Sequence, residues 1–239
     1  MARRRFFVDR VRSGVAELHG EDARHLTRVL RVEAGQRYEI SDNQSAYLAE
    51  IEEARGDRVI FRILELLVDP EFPVSITMLA ALIKFDRFEW MIEKSTELGV
   101  ERIVPVLAAR TEKGLFESSA KRAVRWNRIA RESSQQSRRV RAPEILPAVR
   151  FQSGLDVATD YRYFLEENSA PALLSVLPQN RGIGARVAIL TGPEGGWIDA
   201  ERESAAHASW HAVSLGPQVL RAETAAMAAV AILVNAWCR

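Results

Sequence analysis

The chain has 239 residues, enough for one large domain or two smaller ones, and 47% hydrophobic residues permit a substantial core. No apolar run reaches the length a membrane helix needs, the N-terminus lacks the apolar stretch and cleavage site of a signal peptide, and the single cysteine, Cys238, excludes an internal disulfide. A cytoplasmic protein without membrane contact is the expectation. The formal net charge of +1 conceals an asymmetry: Met1 to Arg31 holds 8 Arg or Lys against 4 acids, and Arg110 to Arg150 holds 11 against 4. Local positive charge of this kind suits a phosphate backbone, and it equally suits solvated helix faces.

The first third reads as β-rich. Phe6-Phe7-Val8, Arg37 to Ile40, Ala46 to Ile51 and Arg58 to Ile63 alternate with a period near two and are separated by turn residues such as Ser41-Asp42-Asn43 and Arg55-Gly56-Asp57. Glu21 to Leu30 reads as one short helix. The pattern predicts a small β domain, a barrel in the simplest arrangement. The segment Asp69-Pro70-Glu71-Phe72-Pro73 then opposes both helix and central strand, which sets a boundary between residues 1–71 and 72–239.

Beyond it the rhythm changes. Ser75 to Ile83 is a nearly continuous apolar run, as in a buried parallel strand. Arg87 to Leu98 reads as a helix with Phe88, Met91, Ile92, Ser95 and Leu98 on one side and Gly99 as its stop. Arg102 to Leu107 is the next strand, and Lys121 to Ser137 a basic helix carrying Trp126. Phe164-Leu165, Val187 to Leu190 and Ala212 to Leu215 are further strands, and Thr224 to Trp237 closes the chain as a helix. Strand–helix alternation predicts an α/β domain with a mostly parallel sheet covered on both faces.

Two glycine-containing turns follow predicted strands: Leu190-Thr191-Gly192-Pro193-Glu194-Gly195-Gly196, and Leu215-Gly216-Pro217-Gln218-Val219-Leu220-Arg221-Ala222-Glu223-Thr224. Ligands of open α/β sheets sit outside the carboxyl ends of strands, so two such loops can clasp one small molecule. The first lacks the Lys-Ser/Thr ending of a P-loop and the spacing of a dinucleotide fingerprint, and Glu194 would repel a polyphosphate. Its glycines let backbone groups approach a base edge, and a nearby carboxylate suits a positively charged ligand. S-adenosylmethionine fits: it has an adenosine, no phosphate and a sulfonium. A purely structural turn is the competing reading. At the second loop's exit, Thr224 or Glu223 has the chemistry of a helix cap, and Arg221 that of a phosphate or carbonyl anchor. The alanine-rich last helix suits close packing, within the domain or across a dimer. His207 and His211 have the spacing of a helical metal pair but lack a third ligand, so no metal is expected.

These residues resemble the bacterial ribosomal RNA small subunit methyltransferase E family of the SPOUT superfamily. The resemblance runs nearly end to end, through Arg3-Arg4-Arg5-Phe6-Phe7, His25-Leu26-Thr27-Arg28-Val29-Leu30-Arg31, Glu97-Leu98-Gly99-Val100 and Gln135-Gln136-Ser137-Arg138. It is most specific in Gly192 to Gly196 and in Leu215-Gly216-Pro217 with Leu220-Arg221 and Glu223-Thr224. Phe85, Gln218 and Ser137 depart from the pattern common in that family.

The resemblance implies a PUA-like RNA-binding barrel over residues 1–71 and a trefoil-knotted parallel α/β methyltransferase domain over 72–239. It implies a homodimer that uses S-adenosylmethionine to methylate N3 of one uridine of 16S rRNA, within the 30S particle. Carried over by position, Leu190, Thr191, Gly192, Pro193, Glu194, Gly195, Gly196, Leu215, Gly216, Leu220, Arg221 and Thr224 are the expected cofactor residues. Methylation at N3 requires loss of a proton, so a cation beside the developing O2–N3–O4 anion or a base is needed; Arg221 is the first candidate and Glu223 the second. Because N3 lies on the pairing edge, the base must be unpaired or extruded. Arg3, Arg4, Arg5, Arg28, Arg31, Arg138 and Arg139 are the expected rRNA contacts. A ribose 2′-O-methyltransferase acting on rRNA or tRNA and a non-catalytic RNA-binding factor are the alternatives.

Overall fold

The computed structural model describes residues 5–68 and 72–238. Its chain falls into two compact units, Met1–Glu71 with Arg131–Ala142, and Phe72–Ala130 with Pro143–Arg239.

The first unit is a sheet with a short helix. Its elements are β1 (Arg5–Phe7), β2 (Val11–Arg12), β3 (Val15–His19), α1 (Gly20–Arg24), a π-helical turn (His25–Leu30), β4 (Arg37–Ser41), β5 (Ala46–Arg55) and β6 (Arg58–Leu67). The strand order is β1-β4-β5-β6-β3-β2; only the β1–β4 pair is parallel, and the path does not close into a ring among the described residues. Alternate residues of these strands, among them Phe6, Leu18, Ile40, Ile51 and Phe61, form one core with Ala23 and Leu26. The expected helix from Glu21 to Leu30 is thus α-helical only to Arg24 and then widens into a π-turn. Strands β2 and β3 were not legible, because Val11 to His19 is short and interrupted by the Ser13-Gly14 turn.

The second unit contains β7 (Val74–Ala81), α2 (Phe85–Glu97), β8 (Arg102–Leu107), α3 (Leu115–Gln136, whose last turns belong to the first unit), β9 (Glu144–Ile145), β10 (Val149–Arg150) and α4 (Phe151–Gly154). It continues with β11 (Tyr161–Leu165), α5 (Leu173–Val176), β12 (Ala185–Thr191), α6 (Asp199–His207), β13 (His211–Val213) and α7 (Ala222–Trp237). The sheet is wholly parallel, ordered β10-β8-β7-β12-β11-β13 with β9 beside β8. The continuous apolar run of β7 follows from burial on both faces: Ile76, Met78 and Ala80 join the core beneath α2 and α7, while Leu79 and Ala81 join the core that holds Trp197 and Trp210. Helix α2 buries Phe88, Met91, Ile92, Ser95 and Thr96 and ends at Gly99. Gly99 adopts φ +104 with the Phe72 ring in the space a Cβ would occupy, so glycine is the residue that fits this stop. Lys94 and Glu97, one turn apart on α2, pair at 2.8 Å. No helix of the described residues is long and apolar enough to cross a membrane.

Candidate active site

Strands β12, β11 and β13 lie side by side and, being parallel, end at the same edge of the sheet. The loops that leave them enclose a cleft of about 370 Å³, a volume suited to a nucleoside-sized ligand. The two glycine turns form opposite walls. The segment after β11, Glu166-Glu167, forms the third.

The first wall is braced from beneath. Trp197 is buried, donates its indole N–H to the Leu165 carbonyl at 2.9 Å and packs on Phe164 and Phe151 with ring centroids 4.7 and 5.4 Å apart. Gly192 lies directly on that indole, where an added Cβ would come within 3.1 Å of the ring. Gly196 adopts φ +70, and a Cβ there would fall 2.1 Å from Glu167 Oε1. Arg110 donates to the Gly195 carbonyl at 2.6 Å. Gly196 is therefore required by its left-handed backbone and by Glu167 beyond the end of β11, while Gly192 sits tightly on the Trp197 indole.

The second wall starts at Ser214, whose hydroxyl oxygen accepts from the Gly216 N–H at 3.2 Å, and runs through Leu215 to Ala222. Arg221 occupies the N-cap position of α7 without a side-chain cap bond, is exposed and lines the cleft. The expected caps Thr224 and Glu223 are corrected here: the helix begins at Ala222, so both sit inside its first turn, where a side chain cannot serve as the N-cap.

The lining carries Arg87 and Arg221 against Glu166, Glu167 and Glu194. Arg87 hydrogen-bonds Glu194. Glu166, only 6% exposed at its side chain, receives two hydrogen bonds from Arg202, at 2.7 and 3.2 Å, and the backbone N–H groups of Glu167 and Asn168. Burial pushes the Glu166 carboxyl up, but the Arg202 hydrogen bond and those N–H donors outweigh it and hold the group below its ordinary range. Arg202 also donates to the Trp197 carbonyl at 2.9 Å, tying the end of β11 to the first turn. Each lining carboxylate faces an arginine, Glu194 with Arg87 and Glu166 and Glu167 with Arg202, so among the described residues the cleft lacks the cluster of free cations that a polyphosphate needs.

Of the expected cofactor residues, Gly192, Pro193, Glu194, Gly196, Leu215, Gly216, Leu220 and Arg221 line the cleft. Leu190 and Thr191 are buried at the end of β12, and Gly195 and Thr224 lie outside the lining set. Glu223 is 4% exposed, does not line the cleft, and has one carboxylate oxygen without a hydrogen-bond partner. Sequence reasoning missed Arg87, Glu166, Glu167 and Trp197.

The arginines expected at RNA divide sharply. Arg3 and Arg4 lie outside the described residues. Arg5 requires correction as a surface cation: it is 7% exposed and its guanidinium holds Glu39 at 3.1 and 3.2 Å. Arg138 is bonded to the other oxygen of Glu39, and Arg139 is half-buried. Arg28 and Arg31 are exposed. His207 ends α6 and His211 begins β13, so they share no helix face, and no cluster of metal-ligating residues occurs among the described residues.

Parallel α/β topology with a cleft outside the carboxyl ends of the strands, accompanied by a separate small β unit, defines a two-unit α/β protein with a small-molecule site. The profile of an RNA methyltransferase domain matches residues 70–234, and that of an RNA methyltransferase PUA domain matches residues 18–64. The chain is 30% identical over 248 residues to the ribosomal RNA small subunit methyltransferase E of Bacillus subtilis, covering 96% of this chain and 95% of that protein. It is 31% identical over 232 residues to the Synechocystis protein of the same name, covering 90% and 70%. A crystal structure of the Neisseria gonorrhoeae protein of that name, bound to S-adenosyl methionine, superposes with a TM-score of 0.88 at 31% identity over 98% of each chain. The chain belongs to the ribosomal RNA small subunit methyltransferase E family.

Proposed function

We propose that this protein transfers a methyl group from S-adenosylmethionine to N3 of one uridine of 16S rRNA, acting on the 30S particle as a homodimer. The observation that carries the reading is the three-walled cleft, whose size, glycine-lined turns and lack of a free cation cluster among the described residues fit an adenosine ligand without phosphate. Bound there, S-adenosylmethionine supplies an electrophilic methyl group on a sulfonium.

Gly192, Pro193, Glu194 and Gly196 hold the ligand from one side and Leu215, Gly216 and Leu220 from the other, with Leu190, Thr191, Gly195 and Thr224 setting the shape of those loops. Arg221, exposed on the cleft with no ion pair among the described residues, stabilises the O2–N3–O4 anion as the N3 proton leaves. Burial keeps Glu223 out of the cleft and makes it the weaker candidate for proton acceptor. The first unit binds rRNA, and the second carries the chemistry on a SPOUT-type knotted fold. The position of β11 between β12 and β13, which brings three loops onto one cleft, supports that fold. Val219 and Leu220, 77% and 37% exposed on the second loop, are apolar surface that a second copy would cover.

The test is mass spectrometry of 16S rRNA nucleosides after gene deletion, and again after adding protein and S-adenosylmethionine to the undermethylated 30S particles. Loss and return of 3-methyluridine is the expected result. Gain of a 2′-O-methyl nucleoside instead would move the target to ribose.

A further inference from the structure

The π-helical turn of the first unit presents apolar surface that the fold does not need there. Ala23 and Leu26 point into the core. Continued α-helical spacing from Leu26 would return the residues at i+3 and i+4, Val29 and Leu30, to the same face. The chain instead widens into a π-turn over His25–Leu30, and Val29 and Leu30 stand 66% and 45% exposed. The turn ends at Arg31 in the left-handed region, φ +50, a conformation that favours glycine. It is held there by the Arg31 and Val32 N–H groups, which both donate to the Leu26 carbonyl, and by Thr27, whose hydroxyl donates to the Gly56 carbonyl at 2.6 Å.

Arg24, Arg28 and Arg31 surround the two aliphatic side chains in sequence; all three are exposed and none has an ion pair among the described residues. The nearby acid Asp22 is already engaged by Gln135 at 3.1 Å and Arg131 at 3.5 Å. Exposed apolar side chains flanked in sequence by arginines without ion pairs among the described residues match a polyanion that also offers flat apolar faces, which is RNA with accessible bases.

We infer that Val29 and Leu30 are an RNA wedge, packing against unstacked bases of the rRNA while Arg24, Arg28 and Arg31 hold the flanking phosphates. This rests on the proposed action on rRNA and assigns within it a non-electrostatic contact. The π-turn is the device that points both residues outward, and its wide geometry is kept at the expense of a strained Arg31.

The experiment measures binding of the full chain to unmodified 16S rRNA across a salt series, for the wild type, V29S/L30S and R28A/R31A. The double serine variant is expected to bind about ten-fold more weakly with an unchanged slope of log affinity against log salt. The double alanine variant should lower that slope. S-adenosylmethionine affinity and Tm of V29S/L30S, which alters only exposed side chains, should match the wild type. Wild-type affinity in V29S/L30S overturns the wedge. So does loss confined to 30S particles with naked rRNA binding intact, which would assign the patch to a ribosomal protein. A wild-type protein that binds no rRNA would instead defeat the underlying functional reading, so the two failures are distinct.

Discussion

Gly196 carries two constraints at once, a left-handed backbone and a glutamate in the space of its missing Cβ. Replacing it with alanine costs about 1 kcal/mol from the backbone alone and displaces Glu167 from the cleft wall. Gly196→Ala should weaken S-adenosylmethionine binding at least ten-fold by calorimetry, whereas Gly182→Ala, where a Cβ meets open space, should leave it unchanged. Equal affinities in the two variants would remove the first turn from the site. Arg221 is tested differently. If its charge stabilises the anion formed at N3, Arg221→Ala lowers kcat about 100-fold at saturating substrate. Arg221→Lys then recovers part of the loss, because it keeps the charge and loses the forked geometry. Full turnover in Arg221→Ala excludes the role.

At the scale of elements, the two glycine turns were legible because Gly-Pro pairs after apolar runs mark loops at strand ends. The third wall was not. Glu166 and Glu167 follow β11 like any polar turn, and only the order β12-β11-β13 sets them between the two glycine loops. The π-turn was hidden for a related reason: Ala23, Leu26 and Leu30 fit an ordinary helical period, and one widened turn changes where the last of them points. Arg5 looked like one of three surface arginines, but parallel pairing places Arg5 opposite Glu39, a relation across 34 residues that no local pattern reports.

Two predictions belong to these elements. The Glu166–Arg202 pair joins the end of β11 to the first turn, and although burial pushes the Glu166 carboxyl up, the Arg202 hydrogen bond outweighs it and holds the group below the ordinary glutamate range. Its contribution to stability is therefore full above the ordinary glutamate range and is lost as pH falls through the depressed value. The Tm difference between the wild type and Glu166→Gln should be largest near neutral pH and shrink below about pH 4. A difference that stays constant across this range would mean that the pair is not what Gln removes. Arg31→Gly relieves the left-handed strain in the π-turn and should raise stability by about 1 kcal/mol in urea unfolding, while binding to rRNA weakens. A variant that gains stability and keeps full affinity would show that the turn is not held for RNA.

At the scale of the whole molecule, a net charge of +1 says little about RNA, because opposite charges in the chain cancel in the total. What matters is which arginines remain unpaired. Arg5 and Arg138 both spend their charge on Glu39, whereas Arg28 and Arg31 are exposed without an ion pair among the described residues. Phosphate contacts release counterions, so each arginine that neutralises a phosphate adds roughly 0.7 to 0.9 to the slope of log affinity against log salt. Arg28→Ala and Arg31→Ala should each lower the slope by about that amount and weaken binding similarly across RNA sequences. Arg5→Ala should leave the slope unchanged. It should instead lower the unfolding free energy by about 2 kcal/mol, because Glu39 loses one of its two arginine partners in a largely buried pair and keeps Arg138. If Arg5→Ala lowered the slope and left stability untouched, the Arg5–Glu39 pair would have to open when RNA binds, and the division between structural and RNA-facing arginines would fail.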